Sequence, residues 1–159
     1  MATLISHSPA ETLALGEQWG QSASAGWVIG LSGELGSGKT QLVKGIARGL
    51  GIPQHVLSPT FTLVHEYRGG RLVLAHLDLY RLETTEQIVG AGLDDYLWQP
   101  AGVTVVEWIE RWLPSLDPQD PQDPSKSAQR IPIPRHSRFV RFASLGENER
   151  QITYEDFGN

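Results

Sequence analysis

The chain has 159 residues, of which 40% are hydrophobic and 19% charged, with a formal net charge of −5. These values fit one globular domain, and they exclude a basic surface broad enough to bind nucleic acid by charge alone. The absence of cysteines excludes disulfides, zinc knuckles and a thiol nucleophile. No segment approaches the roughly 20 apolar residues of a membrane span, and no signal-peptide pattern is present. We therefore expect a cytoplasmic protein without a membrane partner.

The first elements in chain order are a short strand, a helix and a buried strand. Residues 3–5 favour the opening strand. Ser8, Pro9 and Glu11 supply an N-cap, a proline at the first helical position and a capping-box acid, so a helix begins there. Residues 27–31 (Trp-Val-Ile-Gly-Leu) are apolar and partly β-branched, as a buried strand requires.

Residues 33–40 read Gly-Glu-Leu-Gly-Ser-Gly-Lys-Thr, which matches the phosphate-binding P-loop pattern G-x-x-x-x-G-K-[ST]. Glycines let the backbone curl until its N–H groups converge on an anion, and the following helix adds its positive dipole end. The lysine can reach the β- and γ-phosphates, and the threonine hydroxyl can ligate Mg²⁺. The sequence therefore predicts a nucleotide site with contacts from Gly33, Gly36, Ser37, Gly38, Lys39, Thr40 and Gln41.

The middle of the chain predicts two strands, two short helices and a further strand. Residues 63–67 and 72–79 flank a Gly-Gly turn signal and favour a hairpin. Residues 83–89 and 94–97 favour short helices. Residues 103–106 (Val-Thr-Val-Val) are the most strand-like run.

Two acids follow or end apolar strands, where a second phosphate-site element is expected. Glu107 has the position of a Walker-B acid that holds Mg²⁺ directly or through water. Asp78 lies in so apolar a strand that its burial requires a partner. The alternative for each is an acid that caps a loop or pairs with an arginine. His65 and His76 lie on neighbouring strands, where structural histidines are favoured over metal ligands because no third ligand is evident.

Two further segments leave alternatives open. Ser58-Pro59-Thr60 is either an ordinary Ser-Pro turn or a switch segment like the one that Mg²⁺ and the γ-phosphate order in GTPases. Trp108 is either a core residue or a stacking surface beside the site.

The last part of the chain changes in composition. A tandem Pro-Gln-Asp repeat predicts a mobile surface loop around residues 114–128. Residues 138–143 and 151–154 favour edge strands of the same sheet, so residues 1–159 form a single domain. Arg130, Arg135, Arg138 and Arg141 form a local basic run that is either a solvated strand face or a docking patch for RNA or an acidic protein.

The pattern closely resembles the TsaE (YjeE) family of P-loop ATPases of bacterial tRNA threonylcarbamoyladenosine synthesis. The resemblance covers about residues 31–111. Beyond the P-loop it rests on residues 58–64 (Ser-Pro-Thr-Phe-Thr-Leu-Val), 76–82 (His-Leu-Asp-Leu-Tyr-Arg-Leu), 92–96 (Gly-Leu-Asp-Asp-Tyr) and 106–108 (Val-Glu-Trp).

The resemblance implies an α/β fold, namely a P-loop NTPase three-layer sandwich with a mixed parallel and antiparallel central sheet. It implies ATP and Mg²⁺ as cofactors, with Mg²⁺ held by Thr40 and Glu107. Lys39, Asp78 and Glu107 would be catalytic, with Asp78 orienting or activating the attacking water. Ser58, Thr60 and Trp108 would join the nucleotide site.

The resemblance also implies partners and a role. The partners would be TsaB and TsaD, and ATP hydrolysis would reset their complex between rounds of threonylcarbamoylation of the adenosine next to the anticodon. The tRNA would be contacted indirectly or through the basic run near residues 130–141. The alternatives are a small-molecule P-loop kinase and a nucleotide-switched interaction module that does not need hydrolysis.

Overall fold

The computed structural model describes residues 1–34, 36–57, 63–112, 134 and 136–158. Its elements follow in chain order, with a 3₁₀ turn at Ile109–Arg111 between β5 and β6: β1 (Ala2–Ser6), α1 (Pro9–Ser22), β2 (Trp27–Ser32), α2 (Lys39–Gly49), β3 (Val64–Tyr67), β4 (Leu74–Asp78), α3 (Thr85–Gly90), α4 (Asp94–Trp98), β5 (Val103–Glu107), β6 (Ser137–Ser144) and β7 (Arg150–Phe157).

The seven strands form one sheet in the order β1-β7-β6-β2-β5-β4-β3. β2 pairs in parallel with β5 and β6, and β5 pairs in parallel with β4. β7 is antiparallel to β1 and β6, and β3 is antiparallel to β4. The sheet is therefore mixed, as expected, and the predicted hairpin between β3 and β4 is confirmed.

One expectation about this sheet is wrong. β6 and β7 were expected at its edge, but β7 lies between β1 and β6, and β6 lies beside the P-loop strand β2. Strand β6 buries Phe139, Val140 and Phe142, so it contributes apolar side chains to both faces of the sheet, as an interior strand does. The described strands at the two edges are β1 and β3.

Helices α1 and α2 pack on one face of the sheet, at unusually close range. A Cβ added to Gly16 or Gly20 of α1 would lie within 3 Å of the α2 backbone, and one added to Gly45 or Gly49 of α2 would meet the α1 backbone in the same way. Small residues at this spacing let two helix backbones approach directly. The contact fixes α2, and therefore the P-loop at its start, against α1.

The other face of the sheet carries α3, α4 and the 3₁₀ turn. Their buried residues Ile88, Leu97 and Ile109 join Leu77 and Val106 of the sheet in a second core cluster. Alternate residues of the same strands point to the opposite face, where they pack with buried residues of α1 and α2 in the first core cluster. Helices thus cover both faces of the sheet, which confirms the expected α/β three-layer sandwich of a P-loop NTPase.

One expectation falls on a segment without a structural description. The Pro-Gln-Asp repeat and the loop predicted around residues 114–128 lie outside the described residues, and that loop stays a prediction. Within the described part, none of the helices combines the length and apolarity needed to cross a membrane.

Candidate nucleotide site

A cleft of about 390 Å³ opens where β2, β4 and β5 end. This is the carboxyl edge of the parallel strands, where α/β sheets place their ligands. The cleft is lined by Gly36, Ser37, Gly38, Lys39, Thr40, Gln41, Asp78, Glu107 and Trp108. Each of these was predicted as a site residue from the sequence, and the fold brings all of them together.

The P-loop backbone adopts the curl that its glycines permit. Gly33, Gly36 and Gly38 have φ angles of 145°, 75° and 99°. Residues with a Cβ adopt these positive φ values only with backbone strain. Gly38 is the N-cap of α2 and, having no side chain, provides no side-chain cap for the N–H groups that begin the helix. The Ser37 hydroxyl oxygen is buried without a hydrogen-bond partner. These features fit an anion at this position.

Lys39 is buried and folds back over the loop. Its Nζ donates to the carbonyl of Gly33 and, at 3.4 Å, to that of Glu34. The same nitrogen lies 3.8 Å from the ring centroid of Trp108, a cation–π distance. Burial lowers the pKa of the Lys39 ammonium, and the nearby carboxylates of Glu107, Glu110 and Asp78 oppose this effect.

Glu107 ends β5 and holds two side-chain donors. The Thr40 hydroxyl donates to its Oε1 at 3.1 Å, and His76 Nε2 lies 2.6 Å from its Oε2. The side chains of His76 and Glu107 are 0% and 5% exposed. In the tautomer that carries its proton on Nε2, His76 donates to Glu107, and among the described residues its buried Nδ1 has no hydrogen-bond partner. The expected structural role of His76 therefore includes orienting the Glu107 carboxylate.

Asp78 ends β4 and lies directly opposite Glu107 in the parallel register. Its Oδ1 accepts a hydrogen bond from the backbone N–H of Tyr80 at 3.0 Å. Burial raises the pKa of the Asp78 carboxyl, and the neighbouring Glu107 carboxylate raises it further, against the hydrogen bond from Tyr80. The carboxyl group thus has a greater affinity for a proton than an exposed aspartate has.

Trp108 turns the chain sharply after β5. It is a non-glycine residue in the left-handed region, with φ 62° and ψ 46°, a conformation that costs about 1–2 kcal/mol. Its ring packs against Tyr80, with 4.9 Å between ring centroids. The ring lines the cleft beside Lys39 and also packs, partly buried, against the second core cluster.

Several other predicted residues have defined surroundings. Gln41 lines the cleft and donates from Nε2 to the carbonyl of Pro9 at 3.3 Å. His65 is paired in register with His76, but its Nδ1 contacts the Leu57 carbonyl and the Tyr67 hydroxyl instead of the site. Ser58 and Thr60 lie outside the described residues, so both alternatives for that turn stay open.

The basic run does not form one solvated face. The Arg138 guanidinium donates to both carboxylate oxygens of Asp156 at 2.5 and 2.8 Å. It also lies 4.6–5.0 Å from the ring centroids of Trp19, Trp27 and Tyr154, and its side chain is 16% exposed. Arg138 is therefore engaged within the fold.

For the other three arginines of the run, both interpretations stay open, namely a solvated strand face and a docking patch. Arg141 is exposed on β6, whereas Arg130 and Arg135 lie outside the described residues. A docking patch near residues 130–141 stays a prediction.

Sequence reasoning missed two contacts of the site. Nothing in the spacing of the chain pairs His76 with Glu107, because the two residues meet only through the β4–β5 register. Arg150, the first residue of β7, donates to carbonyls of the P-loop from more than 100 residues away. No local pattern marks it.

The donor set fits a nucleotide with Mg²⁺. Thr40 and Glu107 present oxygen atoms, which Mg²⁺ prefers. No group of three or more His, Asp and Glu side chains able to hold a metal ion occurs in the described ranges. A cation here would therefore take its remaining ligands from phosphate oxygens and water, as Mg²⁺ usually does.

Comparison with known proteins gives a consistent result. The family model for threonylcarbamoyl adenosine biosynthesis protein TsaE matches residues 6–133. The chain is 50% identical over 111 residues to the tRNA threonylcarbamoyladenosine biosynthesis protein TsaE of Synechocystis sp., covering 65% of this chain and 69% of that protein. It is 39% identical over 155 residues to the protein of that name from Bacillus subtilis, covering 96% and 84%.

A solved structure shares the whole fold. The crystal structure of Bacillus subtilis YdiB aligns with 99% of this chain and 86% of its own, with a TM-score of 0.72 and 31% sequence identity. The family match spans most of the chain, and the alignment with the Bacillus subtilis protein spans nearly all of it. The chain therefore belongs to the TsaE family of threonylcarbamoyl adenosine biosynthesis proteins.

Proposed function

We propose that this chain is a Mg²⁺-dependent ATPase that serves the threonylcarbamoylation of tRNA at the adenosine next to the anticodon. The proposal includes TsaB and TsaD as partners, whose complex is reset by ATP hydrolysis between rounds. One observation carries it: Lys39, Thr40, Asp78 and Glu107 converge on a single cleft at the P-loop of a TsaE-family chain. The relatives named above, whose names assign them to this biosynthesis, support the pathway.

Each residue has a distinct part in this proposal. The P-loop N–H groups and Lys39 bind the phosphates and offset the charge on their oxygens. Lys39 leaves the carbonyls of Gly33 and Glu34 to do so. Thr40 and Glu107 would hold Mg²⁺, which would supply positive charge to offset the negative charge of the phosphate oxygens. His76 keeps the Glu107 carboxylate oriented toward Thr40.

Asp78 is the proposed group that orients the attacking water. It lies opposite Glu107 at the strand ends, and its raised pKa favours acceptance of a proton. Trp108 lines the cleft, and its ring lies against the Lys39 ammonium.

A slow reaction is expected from the chain alone. No arginine is among the residues that line the cleft in the described part of the chain. Phosphoryl transfer without an arginine finger is slower by orders of magnitude. We therefore propose that a partner completes the site, which agrees with a role in an assembly.

The test is ATP hydrolysis and Mg²⁺-dependent ADP binding by the purified protein. Lys39→Ala should reduce turnover about 100-fold or more, and Glu107→Gln should raise the Mg²⁺ concentration required by about tenfold or more. Lys44→Ala is the matched control because Lys44 is exposed on the same helix. Normal hydrolysis by Lys39→Ala would refute the proposal.

Two other results would favour the alternatives. Transfer of the γ-phosphoryl group of ATP to a small metabolite instead of to water would indicate a kinase. Nucleotide-dependent complex formation that persists in a hydrolysis-deficient variant, with full tRNA modification, would indicate an interaction module.

A further inference from the structure

Arg150 links two separate segments through one guanidinium group. Its Nε donates to the carbonyl of Ser37 at 3.1 Å and one Nη to that of Gly36 at 3.4 Å. The other Nη donates to the carbonyls of Gly146 and Glu149, both at 2.9 Å, and of Glu147 at 3.3 Å. The turn between β6 and β7 is thereby attached to the outer side of the P-loop.

The contact between Arg150 and the Ser37 carbonyl also affects the backbone N–H of Gly38, a residue that lines the cleft. The Ser37 carbonyl belongs to the same peptide group as the N–H of Gly38, and the two point in opposite directions across a trans peptide bond. With its carbonyl on Arg150, this peptide group turns its N–H away from the guanidinium. The cation also polarises the group, which makes the N–H a stronger donor.

Arg150 also constrains the preceding peptide group, whose N–H has an acceptor within the loop. The Gly36 carbonyl contacts Arg150, and the N–H of that group, which belongs to Ser37, donates to the carbonyl of Glu34 at 3.1 Å. Arg150 thus fixes the two central peptide groups of a loop whose glycines permit many other conformations. A flexible loop without this contact would lose conformational entropy on closing around an anion.

We propose that Arg150 is a positioning residue for phosphate binding, which holds the P-loop curled and so raises its affinity for nucleotide diphosphates and triphosphates. Arg150 acts through backbone carbonyls behind the loop and does not touch the phosphates. The inference rests on the proposed function, since it takes a nucleotide as the ligand.

The experiment measures the dissociation constants of ADP and ATP, and the KM and kcat for ATP, in the full chain. Arg150→Gln should weaken the binding of both nucleotides about tenfold and raise KM equally, with kcat changed less than twofold. Arg150→Lys, which keeps the charge but not the fork, should give an intermediate loss. Arg68→Gln is the control, because Arg68 is exposed and pairs with Glu66 at the far edge of the sheet.

A merely structural Arg150 would lower the melting temperature and leave the affinity of the folded protein unchanged. Dissociation constants within twofold of the parent in both Arg150 variants, below their melting temperatures, would therefore overturn the inference. If Arg150→Gln does not fold, Arg150→Lys decides by the same criterion. If the parent does not bind nucleotide, the proposed function is overturned as well. If the parent binds nucleotide and the Arg150 variants bind it equally well, only this inference is overturned.

Discussion

The buried pair of His76 and Glu107 makes a quantitative prediction about stability. The 2.6 Å contact joins a fully buried imidazole to a carboxylate that is 5% exposed. Replacing His76 with leucine removes one of the two side-chain donors described above for Glu107 and leaves Thr40 as the other. A hydrogen bond to a charged group contributes about 1.5–3 kcal/mol, so we expect a loss of about 2 kcal/mol, or about 4–8 °C in melting temperature.

The assay is a double-mutant cycle in urea, without Mg²⁺. It compares the parent, His76→Leu, Glu107→Leu and the double variant, so that the change in packing at each position cancels. The expected coupling energy is about 2 kcal/mol. His76→Gln, which can return a donor near the position of Nε2, should recover part of the loss.

His65 supplies the matched control for this cycle. It is paired in register with His76 on the neighbouring strand but makes its contacts away from Glu107. His65→Leu and Glu107→Leu should therefore be additive within about 0.5 kcal/mol. A coupling energy for His76 and Glu107 below about 0.5 kcal/mol would refute the conclusion that His76 holds the carboxylate.

Three further changes test the fold by denaturation. Gly45→Ala should destabilise by about 1–3 kcal/mol despite its higher helix propensity, because the methyl group would meet the α1 backbone; a stability gain would contradict the close contact. Thr84→Ala removes the capping box with Gln87 and should cost about 1 kcal/mol, and no change in urea midpoint would count against it. Arg138 lowers the pKa of Asp156, so this pair stabilises the fold above the unfolded pKa of about 3.9 and loses that contribution as the pH falls through the lower folded value. Asp156→Asn should therefore cost about 0.5–1 kcal/mol at pH 7, discounted for a half-exposed carboxylate, and the difference from the parent should vanish under acid conditions; a difference independent of pH would contradict the pairing.

The sequence predicted those features whose causes are local. The caps around Ser8 and the P-loop pattern act within a few residues, so α1 begins at Pro9 and α2 at Lys39, as expected. Glu107 and Asp78 were placed at strand ends because apolar runs stop there. Their direct opposition then follows from parallel pairing.

Other features depend on contacts between distant segments. The spacing of Gly45 and Gly49 signals a close contact only once α1 is known to lie against them. The edge prediction for β6 was wrong because β6 pairs with β2 and β7, and its pairing with β2 joins segments more than 100 residues apart that the residues of the strand do not encode. Arg150 reaches the P-loop only through the sheet topology, which no local pattern encodes.

The most direct test of the central claim is reconstituted tRNA threonylcarbamoylation with TsaB, TsaD, the threonylcarbamoyl donor and a substrate tRNA. The account predicts many rounds of modification per complex with the parent chain and ATP. With folded Lys39→Ala, it predicts that modification stops after about one round while ATP consumption is lost. Multiple rounds with Lys39→Ala, or with the chain omitted, would contradict a role for ATP hydrolysis in resetting the complex.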